Sequence, residues 1–391
     1  MASHKNGLRV AKRLDEVGFS EIVNIRNRVL QLRAAGEVVH GFHGGEPFFE
    51  TPDPVKYAMT RALVENKTRY APSSGIEPLR EALARKLSAK NHIQAGIEDV
   101  LVTSGGAHAL YVAFQVVLDP GDDVLLFSPF WTPIREMING AQARPLLVPT
   151  AGARRHGLTA TLEKMATPHV RAIYYNTPQN PAGTVFTRQE AEEVAAFAKK
   201  HHLIVIADEA YEDLVYEGEH FSIASLPGMA ERTISTYTFS KSYGMTGWRV
   251  GYLTAQEPFM TGLRKLVLYS VNGVSTPSQW AALEALALPE DDFAKRREVY
   301  RERRDLLVSG LNDLGLECEV PHGAFYAFPR VQSIHKESRK AAEILLEKAH
   351  VATIPGTVFG AQGEGHLRFG YAMSTQAIES GLAALKRFLK Q

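Results

Sequence analysis

The chain has 391 residues, 45% of them hydrophobic, with 44 basic against 43 acidic side chains and a formal net charge of +1. This length suggests two domains, or one large and one small; the apolar fraction excludes disordered and fibrous classes, and balanced charge lacks the footprint of a nucleic-acid binder. A lone cysteine, Cys318, excludes an internal disulfide and a cysteine-based metal cluster, while the absence of any uncharged apolar stretch near about 18 residues argues against a membrane partner. The start, MASHKNGLRVAKRL, is charged throughout and offers no apolar targeting segment, so the expected home is the cytosol.

In chain order, residues 20–35 read as an amphipathic helix with Ile22, Ile25, Val29, Leu30 and Leu32 roughly on one side. The stretch from Gly41 to Pro54 is rich in glycine and proline and reads as a loop. Apolar runs of strand length then recur at Val100–Thr103, Val124–Phe127, Ala172–Tyr175, Leu203–Ala207, Thr233–Phe239 and Arg249–Leu253. Helix-like stretches separate most of them, among them Glu77–Ala89, Ala107–Leu118 and Arg188–Lys200. Strands apolar along their whole length imply burial on both faces, and alternation with helices implies right-handed crossovers and a mostly parallel sheet. A long charged helical region from about Asp291 to Leu314 leads into a smaller α+β portion. The reading is therefore a large α/β domain over residues 50–290. A small domain would combine the segment 1–49 with residues 291–391.

Ligands of open α/β sheets collect at the carboxyl ends of the strands, so the residues following each run matter most. After Val100–Thr103 comes Ser104-Gly105-Gly106-Ala107-His108, a small-residue turn opening a helix. Its free N–H groups and positive dipole end suit a phosphate, although a plain connection would look similar. Neither a G-x-G-x-x-G nor a G-x-x-x-x-G-K-[ST] run occurs, so dinucleotide and P-loop readings lack their fingerprints. Asp208-Glu209-Ala210-Tyr211 follows the fourth run. A carboxylate there could bind Mg²⁺, meet a protonated ring nitrogen or cap a helix. Lys241 ends the Thr233 run and is followed by Ser242-Tyr243-Gly244-Met245-Thr246-Gly247-Trp248-Arg249. A lysine in a dry pocket loses proton affinity and becomes the amine nucleophile that a Schiff base requires. Arg249, with Thr238 and Ser240, could hold a phosphate. Finally, Asn176 to Thr184 delivers an amide, Asn180, to the same sheet edge. Anion cradle, carboxylate, amide and amine together are the set that a phosphorylated pyridine aldehyde needs.

On these motifs the chain resembles the class I aminotransferases of fold type I, which depend on pyridoxal phosphate, and particularly their bacterial aspartate/aromatic branch. Supporting matches are Gly45-Glu46-Pro47 with Thr51-Pro52, Tyr70-Ala71-Pro72 with Gly75-Ile76, Ser128-Pro129-Phe130-Trp131, the Asn180–Gly183 turn, Asp208 to Tyr211, Ser240-Lys241 through Arg249, Gly323 to Tyr326, and Arg368. The resemblance implies an exchange of the amino group between an L-amino acid and a 2-oxo acid.

It implies Lys241 as the internal aldimine lysine and proton carrier, and Asp208 as the partner of the pyridinium nitrogen. Asn180 and Tyr211 would donate to the phenolate oxygen, and Trp131 would stack on the ring. Gly106, Ala107, Thr238, Ser240 and Arg249 would hold the phosphate. Tyr70 would reach in from a second subunit, which makes a homodimer with shared active sites. Arg368 would clamp the substrate α-carboxylate, with Asn180 beside it, and the backbone of Gly45 would lie against the substrate. One departure stands out: aspartate-preferring relatives are expected to carry a lysine after the two glycines, where this chain has Ala107 and His108. An aromatic or aliphatic substrate fits better than a dicarboxylic one, with Phe19, Phe325 and Tyr326 as candidate pocket walls. His108 would either contact substrate or cap the phosphate helix. The same scaffold also supports C–S lyase (β-elimination) and oxidative deamination. A coenzyme-sensing transcription regulator would need an added DNA-binding domain for which Tyr70 arrives too early.

Overall fold

The structure, a computed structural model, describes residues 10–390. Seven strands form one sheet: β1 (Val100–Thr103), β2 (Asp123–Ser128), β3 (Arg144–Pro149), β4 (Val170–Asn176), β5 (Ile204–Asp208), β6 (Thr233–Thr238) and β7 (Gly251–Thr254). Their spatial order is β1-β7-β6-β5-β4-β2-β3. Neighbours pair in parallel from β6 through to β3, while β7 runs antiparallel to both β6 and β1. The expected mostly parallel sheet is thus present, with one reversed strand. A parallel neighbour needs a long crossover, and the link from Thr238 to Gly251 contains only the helical turn Phe239–Ser242.

Alternation decides which helices cover which face. Leu126, Tyr174, Ile206 and Ile234 pack on the helices Gly106–Val117 and Phe259–Val271. On the opposite face, Leu125, Ile173 and Val205 meet the helix Arg188–Lys200, and Val102, Tyr237 and Tyr252 meet the helices Glu77–Lys90 and Thr276–Ala285. With both faces covered, apolar residues at odd and even positions are equally buried, which is why these strands show no polar alternation.

Beyond the sheet, the helix Glu290–Asp313 leads to a small antiparallel sheet of β8 (Tyr326–Ala327), β9 (Ile354–Pro355) and β10 (Leu367–Gly370), ordered β9-β10-β8. The helices Ser338–Ala349 and Thr375–Leu389 contribute to its core. His40–Gly41 pairs in parallel with Val351–Ala352, which ties the amino-terminal segment to this part of the chain.

Several local readings differ from the structure. In the helix Glu21–Ala34, Leu30 is exposed rather than on the covered side with Val29. β3 escaped notice because Pro145 and Pro149 punctuate it; at the sheet edge a proline forfeits no ladder bond. β6 ends at Thr238, not Phe239, because the Thr238 hydroxyl accepts the Ser240 N–H and starts a helical turn. Arg249 lies outside β7 with a φ of 56°, a left-handed conformation that no strand can hold.

Gly251 opens β7 where the strand passes the Gly105-Gly106 turn. A Cβ there would stand 2.6 Å from the Gly105 carbonyl carbon and 2.7 Å from the Gly106 nitrogen, both backbone atoms that have little room to retreat. Gly251→Ala is therefore expected to lower the unfolding free energy by roughly 1–3 kcal/mol. Chemical denaturation checks this, and an unchanged midpoint would show that the turn yields freely.

Candidate active site

A cavity of about 410 Å³ opens at the carboxyl ends of the central strands, and the residues lining it come from every segment that the motifs single out except Tyr70 to Ile76. Register builds its floor. Asn176 pairs with Asp208, and Asp208 pairs with Thr236, so three polar side chains form one row across β4, β5 and β6 on the same face. The next residue, Glu209, points to the opposite face. There its carboxylate accepts from Ser222 (2.5 Å), with His220 Nε2 at 2.7 Å. Two adjacent carboxylates are thereby separated: one faces the cavity, the other a buried polar network.

Asp208 is buried; its Oδ2 accepts the Tyr174 hydroxyl at 2.6 Å and its Oδ1 the Ala210 N–H at 3.2 Å. Burial pushes its pKa up to about 6, against the lowering effect of those two donors. Lys241 sits on the helical turn after β6. Its Nζ donates to the Gly45 carbonyl at 2.7 Å. Burial first, and the charge of Arg368 second, bring its pKa down to about 8. Tyr211 places its hydroxyl 3.0 Å from that of Tyr326. Arg368, on β10, is 3% exposed and donates to Asn180 Oδ1 at 3.1 Å and to the His43 carbonyl at 3.0 Å; its guanidinium lies 4.4 Å from the centre of the Tyr326 ring. Among the described residues, its Nε has no hydrogen-bond partner. The partners of this cation are neutral oxygens, and burial lowers its pKa.

The opposite end of the cavity is built for an anion. Gly105 takes a φ of 79° as the cap residue, and the helix Gly106–Val117 then starts with Gly106 and Ala107 at the wall. Thr238, Ser240 and Arg249 stand there too. The Arg249 guanidinium donates to the Thr246 carbonyl at 2.8 Å and lies where a Cβ on Gly105 would come within 2.5 Å of it. Trp131 completes this side, and Gly45 lines the side below Tyr326.

Twelve of the thirteen expected site residues therefore share one cavity. Tyr70 does not: in this chain it is 91% exposed and stands outside the lining. Two of the expected pocket walls are corrected. Phe19 is fully exposed, and Phe325 is buried against Tyr300 and Tyr211, one layer behind the surface. Tyr326 does line the cavity, and Ile22 and Leu110 supply further apolar wall. His108 lies outside it; Nδ1 accepts the Ser104 N–H and Nε2 meets Ser270 Oγ, so the ring ties the turn to a neighbouring helix. Sequence reasoning missed His43, whose carbonyl holds Arg368, and Tyr174, whose hydroxyl holds Asp208. A tyrosine inside an apolar strand was the available signal, because a buried phenol has to find an acceptor.

The family model for aminotransferases of class I and II matches residues 39–385. The chain belongs to that family. It is 38% identical over 388 residues to the aspartate/prephenate aminotransferase of Thermus thermophilus, covering 97% of this chain and 98% of the relative. It is 36% identical to aromatic-amino-acid aminotransferase 2 of Thermococcus litoralis, at 98% and 99% coverage. The solved structure of aspartate aminotransferase from Thermus thermophilus with maleate superposes with a TM-score of 0.92 at 37% identity, covering 98% of this chain and 99% of that one. This aminotransferase is thus an enzyme that moves amino groups, in a family that uses pyridoxal phosphate. Among the described residues no helix is long and apolar enough to cross a membrane.

The lowered proton affinity of Lys241 has a direct consequence. Its neutral amine should be populated from about pH 8, well below the ordinary lysine range. In the aminotransferase free of coenzyme, modification of Lys241 by an amine-directed reagent is expected to accelerate through pH 8 and level off above it. A rate still climbing steeply at pH 10 would contradict the dry environment.

Proposed function

We propose that this aminotransferase binds pyridoxal phosphate in the cavity and exchanges amino groups between an aromatic or aliphatic L-amino acid and a 2-oxo acid, in ping-pong order. One observation carries this reading: a buried carboxylate, a half-buried amine and a buried guanidinium share one cavity, and their hydrogen bonds go to neutral groups. Buried charges are costly unless something meets them, so the set is complementary to a ligand that brings its own charges. The residues fit the coenzyme. Gly106, Ala107, Thr238, Ser240 and Arg249 would hold its phosphate, with helix N–H groups and a guanidinium as donors. Asp208 would face the ring nitrogen, Asn180 and Tyr211 the phenolate oxygen, and Trp131 the ring face.

When bound, the coenzyme supplies the aldehyde and the electron-accepting ring on which the chemistry runs. The chain supplies position and proton transfer. The amine of Lys241 would first hold the coenzyme and, once released, take a proton from substrate Cα and return one on the coenzyme side; tethering next to the reacting carbon raises its effective concentration. Arg368 offers a planar fork to the α-carboxylate, held in place by Asn180, His43 and the face of Tyr326. The carbonyl of Gly45 holds the Lys241 amine in the free protein.

Side-chain selectivity follows from counting cations. The wall carries Lys241, Arg249, Arg368 and His43. The first three are engaged by amine, phosphate and α-carboxylate roles, and burial brings His43 down to about 4, so it is neutral near pH 7. Among the described residues, no other cation lines this wall to meet a second carboxylate. Ile22, Ala107, Leu110 and the rings of Trp131 and Tyr326 offer apolar contact instead, and Glu46 adds negative charge. A homodimer with shared sites is part of the proposal, supported by the outward-standing Tyr70. So is a division near residues 50 and 290, supported by a core formed mostly from residues 300–385 beside the cores of the large sheet.

The test is a spectral titration of the coenzyme-loaded enzyme with aromatic, aliphatic and dicarboxylic amino acids, followed by return with the matching 2-oxo acids. Aromatic or aliphatic pairs are expected to run both half-reactions, with kcat/KM for aspartate lower by roughly ten- to a hundredfold, the worth of one charge-assisted contact. A preference for aspartate or glutamate would overturn the substrate class. Lys241→Ala should lose nearly all turnover. Arg368→Lys, which keeps the charge but not the fork, should weaken every carboxylate substrate by at least about tenfold while coenzyme affinity holds. Equal losses in both affinities would place Arg368 elsewhere in the mechanism.

A further inference from the structure

We propose that Tyr174 is a positioning residue that acts on the coenzyme's ring nitrogen through Asp208. This rests on the reading above that Asp208 meets that nitrogen. Tyr174 itself does not line the cavity, so any influence it has on the ring passes through the carboxylate.

Sheet register brings the two side chains together. Tyr174 pairs with Ile206 and Asn176 with Asp208, so the tyrosine and the carboxylate are diagonal neighbours on one face of adjacent parallel strands. The phenol donates to Asp208 Oδ2 at 2.6 Å while the Ala210 N–H reaches Oδ1 at 3.2 Å. One donor on each oxygen fixes the plane of the carboxylate. Both side chains are buried, and the tyrosine ring is seated 6.1 Å from that of Phe114. The phenol lies outside the cavity and has no water as an alternative, so it depends on the carboxylate for its acceptor.

The chemistry needs that donor. A carboxylate in a dry cleft drifts toward its neutral form, and a neutral acid holds a protonated ring nitrogen poorly. Around Asp208, Glu209 on the same segment pushes in the same direction as burial, whereas Lys241 beyond β6, the Ala210 N–H and the Tyr174 hydroxyl oppose it; Tyr211 also lies nearby. Among the opposing groups, Tyr174 is the largest contributor. Burial and the adjacent carboxylate hold the phenol proton well above its ordinary range, so the hydroxyl stays a donor throughout the working pH range. Tyr174 thereby keeps Asp208 anionic and aimed, without exchanging a proton.

Coenzyme binding to the apoenzyme tests this without reference to turnover. Tyr174→Phe keeps the ring and its packing and removes only the hydroxyl. The variant is expected to bind pyridoxal phosphate roughly ten- to a hundredfold more weakly, as for loss of a hydrogen bond to a charged group. For the 1-deaza analogue, in which CH replaces the ring nitrogen, its affinity should match that of the parent protein. In an Asp208→Asn background the same change should cost nothing further, as expected for residues acting through one contact. Tyr174→His, which keeps an N–H donor on the same strand face, should bind pyridoxal phosphate more tightly than Tyr174→Phe, and it serves if the phenylalanine variant does not fold. Equal loss for pyridoxal phosphate and the deaza analogue, or no loss for either, would overturn the proposal. Failure of the parent protein to bind pyridoxal phosphate at all would instead overturn the functional reading beneath it.

Discussion

The arrangement depends on charges withdrawn into a cavity, away from most contact with bulk water. Asp208 and Arg368 are buried and Lys241 half-buried at the rim of a helix-covered sheet, and the chain offers them hydroxyls, carbonyls and an amide rather than opposite charges. This costs stability. The folded value of about 6 for Asp208, against 3.8 as the reference, means that the folded chain binds this proton more tightly; the contribution of this group to stability therefore falls as pH rises from about 4 to 6. The protein carries that cost because the same dry environment makes an amine nucleophilic and a guanidinium strongly attractive to a carboxylate.

Everything around the cavity follows from where this fold can place side chains. Parallel strands end together at one edge, so one row of residues, Asn176, Asp208 and Thr236, comes from segments far apart in the chain. A short link between β6 and β7 puts Lys241 on a helical turn at that edge, and a left-handed Arg249 returns the chain toward the Gly105 turn. β10 brings Arg368 from the small sheet, where Asn180 of the large sheet accepts from it. The cavity is thus shared between the two sheets, and its substrate side depends on how they meet.

Much of this was legible in the sequence. Fully apolar strands announced the covered sheet, and the residues directly following them announced its active edge only as a set, because small-residue turn, carboxylate, amide and lysine with arginine all fall at strand ends of one domain. What stayed hidden depended on tertiary neighbours. β3 is an edge strand that tolerates proline, so its pattern did not read as a strand. Tyr174 looked like one more apolar strand residue, since its partner is set by register between β4 and β5. The role of the His43 carbonyl left no mark on the side-chain pattern. Phe19 and Phe325 were plausible pocket walls by composition, yet one points into solvent and the other packs a layer too deep. Tyr70 stands clear of its own chain's cavity, and a single chain holds no physical reason for an exposed tyrosine there.

The central claim is that the cavity-lining amine on the turn after β6 carries the coenzyme. Borohydride treatment of the pyridoxal phosphate-loaded protein, followed by mass spectrometry of its peptides, measures this directly. The account predicts one phosphopyridoxyl group per chain, located on Lys241. A label on any other lysine, or none after treatment of a fully loaded sample, would contradict it.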